Sequence, residues 1–223
     1  MNPLHDWNLS ASEAVALQKR LAPQVQVTPL QKTPQLIAGA DLSFDKGSDV
    51  VWAGIVVLSF PDLQIVEERG LQTVAPFPYV PGLLSFREAP AVLQVWEQLE
   101  NKPDVLVLDG QGLAHPRRFG LACHLGLWLD LPTYGSTKTL FVGNFDDVGE
   151  ERGATAELVH RGEIVGAAVR TKRKVTPVYV SVGNKMTLDD AVKLTLACDG
   201  GYRVPEPTRR AHLFVNRLRR GEE

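Results

Sequence analysis

The chain has 223 residues, 44% of them hydrophobic and 22% charged, and its 24 basic against 26 acidic side chains leave a formal net charge of −2. A chain of this size buries roughly 70% of the surface it exposes when unfolded, so it folds without a disulfide or metal staple, and its balance excludes a disordered or collagen-like chain. Cys123 and Cys198 show no C-x-x-C spacing for zinc or redox work and are expected as reduced thiols in core helices. Residues Met1 to Trp7 hold no basic segment followed by an apolar one, and no run of about 18 apolar residues occurs. The expectation is a cytoplasmic protein without signal peptide or membrane span.

Ser10 and Glu13 form an S-x-x-E capping box ahead of Ala14, Val15, Leu17 and Leu21, which predicts a first helix ending near Pro23. Three β-branched or apolar runs follow, Leu36 to Phe44, Val50 to Phe60 and Leu63 to Glu68, parted by Asp45-Lys46-Gly47-Ser48 and Pro61-Asp62. That is the pattern of a three-stranded antiparallel meander. A proline-rich loop, Phe77-Pro78-Tyr79-Val80-Pro81-Gly82, then feeds a helix from Phe86 to Leu99. The apolar run Val105 to Leu108, ending in Asp109-Gly110, reads as a buried parallel strand, and a helix from Arg117 to Trp128 with a strand from Pro132 to Ser136 completes a βαβ unit. Asn144 to Arg152 is a polar loop, Glu163 to Arg170 and Val178 to Val182 are strands, and Leu188 to Ala197 and Pro207 to Arg220 are helices. No repeat or linker interrupts this order. We expect one α/β domain over residues 1–223, with a mixed central sheet, meander first and parallel βαβ strands after it, flanked by helices.

Three acids stand where acids are costly. Asp41 lies inside the first strand, where an unpaired carboxylate loses several kcal/mol of hydration, so something cationic should face it. Asp109 ends a buried strand, the place where ligands bind in open α/β sheets. Glu88 opens the helix after the proline-rich loop, and a helix lying across the sheet brings it beside both aspartates. Plain alternatives exist: Asp109 before Gly110 as a cap or turn acid, and Glu88 as a first-turn acid favoured by the helix dipole. Converging carboxylates are tenable at neutral pH when divalent cations neutralise them, and hard oxygen donors select Mg²⁺, with Mn²⁺ as a substitute. Two such ions roughly 3.5–4 Å apart activate a water and steady the leaving oxygen of a phosphodiester, although the sequence does not count the ions.

Basic residues crowd the last third, at Arg170, Lys172, Arg173, Lys174, Arg203, Arg209, Arg210, Arg217, Arg219 and Arg220. They suit phosphate contacts or a solvated charged face. Gly110-Gln111-Gly112 falls short of a dinucleotide fingerprint because His115 stands in place of its third glycine, and there is no P-loop.

The order of elements, together with Gly39-Ala40-Asp41, Pro78-Tyr79-Val80-Pro81-Gly82-Leu83-Leu84-Ser85-Phe86-Arg87-Glu88, Asp109-Gly110-Gln111-Gly112 with His115-Pro116-Arg117, Pro177-Val178-Tyr179-Val180-Ser181-Val182-Gly183 and Pro205-Glu206-Pro207-Thr208-Arg209, resembles the endonuclease V family. The likeness runs from about Gln31 to His212. This family of deoxyinosine 3′ endonucleases has a ribonuclease-H-like fold. The resemblance implies metal-binding carboxylates at Asp41, Glu88 and Asp109, with Lys138 and His212 completing the catalytic set. It implies a strand-separating wedge at Tyr79, held by Pro78, Val80 and Pro81, and a base pocket built from Gly82, Leu84, Gly110, Gly112, His115, Gly120 and Leu121. The implied reaction nicks DNA at the second phosphodiester 3′ to deoxyinosine or another deaminated base, leaving 3′-hydroxyl and 5′-phosphate. Inosine-containing RNA as substrate, or a non-catalytic module that recognises deaminated bases, are the alternatives, and a monomer is the default. Asn184 departs from the family, in which histidine often follows Ser-Val-Gly.

Overall fold

The computed structural model describes residues 3–222. Its elements in chain order are α1 (Ala11–Leu21), β1 (Leu36–Phe44), β2 (Val50–Ser59), β3 (Ile65–Val74), α2 (Leu84–Gln98), β4 (Val105–Leu108), α3 (Leu121–Leu129), β5 (Thr133–Thr137), β6 (Thr155–His160), β7 (Glu163–Val169), β8 (Val178–Asn184), α4 (Leu188–Ala197) and α5 (Glu206–Arg220). Among the described residues the eight strands form one sheet in the order β3-β2-β1-β4-β5-β8-β7-β6. The expected meander pairs antiparallel, β1, β4 and β5 run parallel, and β8, β7 and β6 return antiparallel.

Side chains alternate across a strand, so β1 sends Ala38 and Ala40 to a core shared with α2 and α3, and Ile37 to a second core shared with α4 and α5. β4 is covered on both faces, which is why its four residues, Val105 to Leu108, are all apolar and all buried.

The approach of α5 to the sheet is unusually close. A Cβ built on Gly39 would stand 2.0 Å from the Pro207 carbonyl oxygen, and one on Gly54 would stand 2.7 Å from the side chains of Phe214 and Val215. Four helical residues rise about 6.0 Å and two strand residues about 6.7 Å, so a helix lying along β1 keeps step with it. Thr208 accordingly sits over Gly39, His212 meets Asp41, and Asn216 meets Ser43.

The structure corrects several boundaries. β3 begins at Ile65 and runs on to Val74, because Leu63 lies in a turn at φ 54° and an edge strand open to water on one side tolerates Gly70 and Gln72. α2 starts at Leu84, which puts Glu88 in its second turn instead of its first. α3 starts at Leu121, since Arg118 has φ 56° and Gly120 is extended, so the segment from Arg117 wraps as a loop before the helix. β6 was not foreseen; Arg161 and Gly162, at φ 56° and 79°, make the two-residue turn that joins it to β7, and that Arg-Gly pair was its available signal. Cys123 and Cys198 are free and buried, and desolvation pushes both thiols up to about 12. Among the described residues no helix is long and apolar enough to cross a membrane.

Gly39→Ala sets a methyl group against the backbone of α5 and is expected to destabilise the fold by about 2–3 kcal/mol, read as a lower urea midpoint. An unchanged midpoint shows that α5 yields freely and that the close approach is incidental.

Candidate active site

The parallel register builds the site. Ala40 pairs with Leu108 and Leu108 with Gly135, so Asp41 and Asp109 project from adjacent strands one residue beyond the same rung, at the carboxyl edge. The two-residue period carries Ile37 to Asp41, Val107 to Asp109 and Tyr134 to Lys138, all toward the α5 side. There the imidazole of His212 lies with Nδ1 2.8 Å from Asp41 Oδ2, and Lys138 Nζ stands 3.5 Å from Asp109 Oδ2. The mid-strand aspartate thus faces a basic group, as its burial requires. Asn216 donates from Nδ2 to the His212 carbonyl at 2.8 Å while its Oδ1 accepts from Ser43 Oγ at 3.0 Å. That fixed amide also lies 3.2 Å from His212 Nε2, which makes Nε2 the acceptor and leaves the proton on Nδ1, toward Asp41.

Glu88 brings the third carboxyl. It is pushed up to about 8, first by desolvation and then by the charges of Asp41 and Asp109, with Arg87 opposing. Asp109 is raised as well, by desolvation and then Asp41, against the pull of Lys138 and His212. His212 is raised chiefly by its hydrogen bond to Asp41, desolvation opposing. Two raised carboxyls beside a third describe a site short of positive charge, and three carboxylates are the hard oxygen donors that suit Mg²⁺ or Mn²⁺. Among the described residues no group of three or more His, Cys, Asp or Glu side chains is placed to hold a metal ion. Asp41 and Asp109 instead each turn toward a basic side chain of the protein.

A cavity of about 270 Å³ opens beside this cluster. Its lining includes Tyr79, Val80, Pro81, Gly82 and Leu84 from one segment of the chain and Asp109, Gly110, His115, Gly120 and Leu121 from a second, so Asp109 belongs to both cavity and cluster. Pro78 and Gly112 are not part of its lining: Pro78 is exposed, and Gly112 packs on β8, where a Cβ would stand 2.0 Å from the Val182 carbonyl oxygen. Tyr79 is 65% exposed at the tip of its loop. Arg87, buried, anchors that loop by donating to the Phe77 carbonyl at 2.8 Å and to the Ser48 carbonyl at 2.9 Å.

His115 is buried and held by both ring nitrogens. Nδ1 accepts from the Arg117 backbone N–H at 3.2 Å, so Nε2 carries the hydrogen it donates to the Gly82 carbonyl at 3.0 Å. Desolvation and then the Arg117 charge push its pKa down to about 4, so it is neutral at physiological pH.

Sequence reasoning missed Gln18, Ser85, Gln111, Thr137, Thr139, Leu140 and Phe141 in the cavity wall. Gln18 had a signal, a polar residue on the apolar stripe of Ala14, Leu17 and Leu21, and so had Leu140-Phe141, an apolar pair just beyond Lys138. Asn184 sits at the opposite end of the sheet, beside Thr133, where it donates to the Gly126 carbonyl and accepts from the Gln26 N–H, both at 3.0 Å. Much of the basic third is engaged within the protein: Arg170 on the carbonyls of Val148, Gly149 and Val175, Arg173 on Glu151, Lys174 on Glu150, Arg209 and Arg210 on Glu206, Arg217 on Glu68 and Arg219 on Asp45.

A family profile described as Endonuclease V matches residues 19–213. The endonuclease V of Gloeobacter violaceus is 48% identical over 99% of this chain and 91% of its own length. The crystal structure of endonuclease V from Streptomyces avermitilis, 42% identical, superposes with a TM-score of 0.92 over 96% of this chain and 95% of that one. That of Ciona intestinalis, 25% identical with a TM-score of 0.84 over 94% of this chain and 98% of that one, is in complex with a 24mer DNA containing an inosine followed by a ribo-adenosine. The mixed eight-strand sheet flanked by helices is therefore the ribonuclease-H-like fold of these nucleases, and the chain belongs to the Endonuclease V family, the enzymes that cleave DNA near deoxyinosine.

Proposed function

We propose that this protein hydrolyses the second phosphodiester 3′ to deoxyinosine in a Mg²⁺-dependent reaction, leaving 3′-hydroxyl and 5′-phosphate. The observation that carries the reading is the shared wall: Asp109 lines the cavity and belongs to the carboxylate cluster. A base turned into the cavity leaves the backbone that follows it against Asp41, Glu88 and Asp109. The inosine-containing DNA of the Ciona relative supports the substrate class.

Asp41, Glu88 and Asp109 would hold the cation, Mg²⁺ or Mn²⁺. The chemistry such a cation would supply there is neutralisation of the cluster and polarisation of a phosphodiester. Lys138, half-exposed beside Asp109, offers a charge to the phosphate, and His212 keeps the Asp41 carboxylate oriented through Nδ1. Tyr79 enters the base stack from a loop whose prolines have already removed conformational freedom. Unstacking costs a few kcal/mol and is cheapest for a mispaired base, which favours hypoxanthine opposite thymine or cytosine. Gly82, Gly110 and Gly120 let backbone groups approach the base edge, and a tight wall excludes guanine's extra amino group. The ribo-adenosine in the Ciona complex favours one second reading, cleavage of inosine-containing RNA, which paired DNA and RNA oligonucleotides of one sequence distinguish.

With Mg²⁺ the protein is expected to nick a deoxyinosine duplex one nucleotide beyond the lesion and to stop in EDTA. Asp41→Asn should lower that rate at least about 100-fold while lesion binding persists; full activity in this variant removes Asp41 from the reaction. Tyr79→Ala is expected to slow cleavage of duplex at least about tenfold more than cleavage of the same single strand, since only the duplex needs parting. Equal losses on the two substrates exclude a wedge.

The cation must displace the proton that Glu88 carries below about 8. Mg²⁺ affinity, read as a Mg²⁺-dependent thermal shift, should therefore strengthen as pH rises from 6.5 to 8.5, by up to about tenfold per unit on the acid side. In Glu88→Gln it should change much less with pH; an equally steep profile in that variant assigns the proton elsewhere.

A further inference from the structure

α1 packs outside the sheet, yet one of its side chains reaches the cavity. Gln18 is 1% exposed, and all its hydrogen-bonding groups are engaged with other elements. Its Nε2 donates to the Gly82 carbonyl at 3.0 Å and to the Phe119 carbonyl at 3.0 Å, and its Oε1 accepts from Arg117 Nε at 2.5 Å. Chemistry fixes this orientation of the amide, because the reverse sets its oxygen against two carbonyl oxygens and its NH₂ against a guanidinium.

The two carbonyls belong to two separate segments that border the cavity. Gly82 closes the loop that carries Tyr79, whereas Phe119 immediately precedes Gly120 and Leu121 at the entry to α3. Gly82 also receives His115 Nε2 at 3.0 Å and Arg117 Nη2 at 2.6 Å, so three donors converge on one carbonyl. Gly82 lies at φ 79°, a left-handed conformation that glycine adopts without strain. Gln18 is the member of this network that reaches both carbonyls from a third element, α1.

We propose that Gln18 is a positioning residue that fixes the spacing between the two segments and so sets which base the cavity admits. The inference rests on reading the cavity as the lesion-base pocket. Gln18 acts through Gly82 and Phe119 and touches no reacting atom. A spacing held by hydrogen bonds about 3 Å long resists the small widening that admits one more amino group, whereas apolar packing alone gives way more easily. Guanine differs from hypoxanthine by that group.

The test compares the parent with Gln18→Met, which removes both donors and the acceptor at nearly constant volume, and Gln18→Glu, which keeps the acceptor toward Arg117 and loses the donors. With Mg²⁺, kcat and KM are measured on a deoxyinosine duplex, and the same duplex carrying deoxyguanosine serves as competitor to give its inhibition constant. In both variants the ratio of that inhibition constant to KM should fall at least tenfold, with the change in KM larger than that in kcat. Urea midpoints report folding, and if Gln18→Met does not fold, Gln18→Glu decides. An unchanged ratio in a folded variant, a loss confined to kcat, or unfolding of both variants overturns the proposal and makes Gln18 a core residue only. A parent that fails to prefer deoxyinosine instead overturns the reading of the cavity.

Discussion

The site depends on the absence of a side chain at Gly39. α5 occupies the space a Cβ would take there, and the near match between four helical residues and two strand residues then carries His212 to Asp41 and Asn216 to Ser43. A larger residue at that position lifts the helix, and the contacts one and two turns further along are lost with it. This edge of the sheet is thus set by backbone packing some distance from the carboxylate cluster.

Against that rigid frame stands a charge arrangement that opposes itself. Asp41, Glu88 and Asp109 are held together by β1, α2 and β4, whose cores are apolar, and these elements keep the carboxyls close although their charges repel. Lys138 and His212 offset part of the repulsion, yet Glu88 and Asp109 remain raised, so the fold holds an unmet demand for positive charge beside the cavity. The cavity beside it has a different character. Its buried histidine is neutral, and Gln18 and Arg117 direct their donors at backbone carbonyls, so that wall offers fixed shape more than free charge.

The strands that carry the site were legible because burial leaves local marks. Val105 to Leu108 reads as a strand covered on both faces, and an acid inside the apolar run of β1 is costly enough to demand a partner whatever the rest of the fold does. The motif segments, taken with their family resemblance, located the loop around Tyr79 and most of the cavity lining. Gly112 was misplaced within the cavity since a glycine's reason lies in what approaches it, and here that is the Val182 carbonyl of β8. The basic residues of the last third stayed open between phosphate contacts and a solvated face because their acidic partners, such as Glu68 and Asp45, come from distant strands and loops.

Alternation, capping and the desolvation cost of charge act over a few residues, so by itself the amino-acid sequence determined the order of most elements, the two-faced sheet and the three acids. Tertiary structure alone decided which basic group faces each acid, that Gln18 bridges two segments bordering the cavity, and that Asn184 braces the far end of the sheet. Gln18 and Phe119 are 101 residues apart, and a hydrogen bond at that separation has no periodic trace in the chain; it exists only once packing has brought the two together.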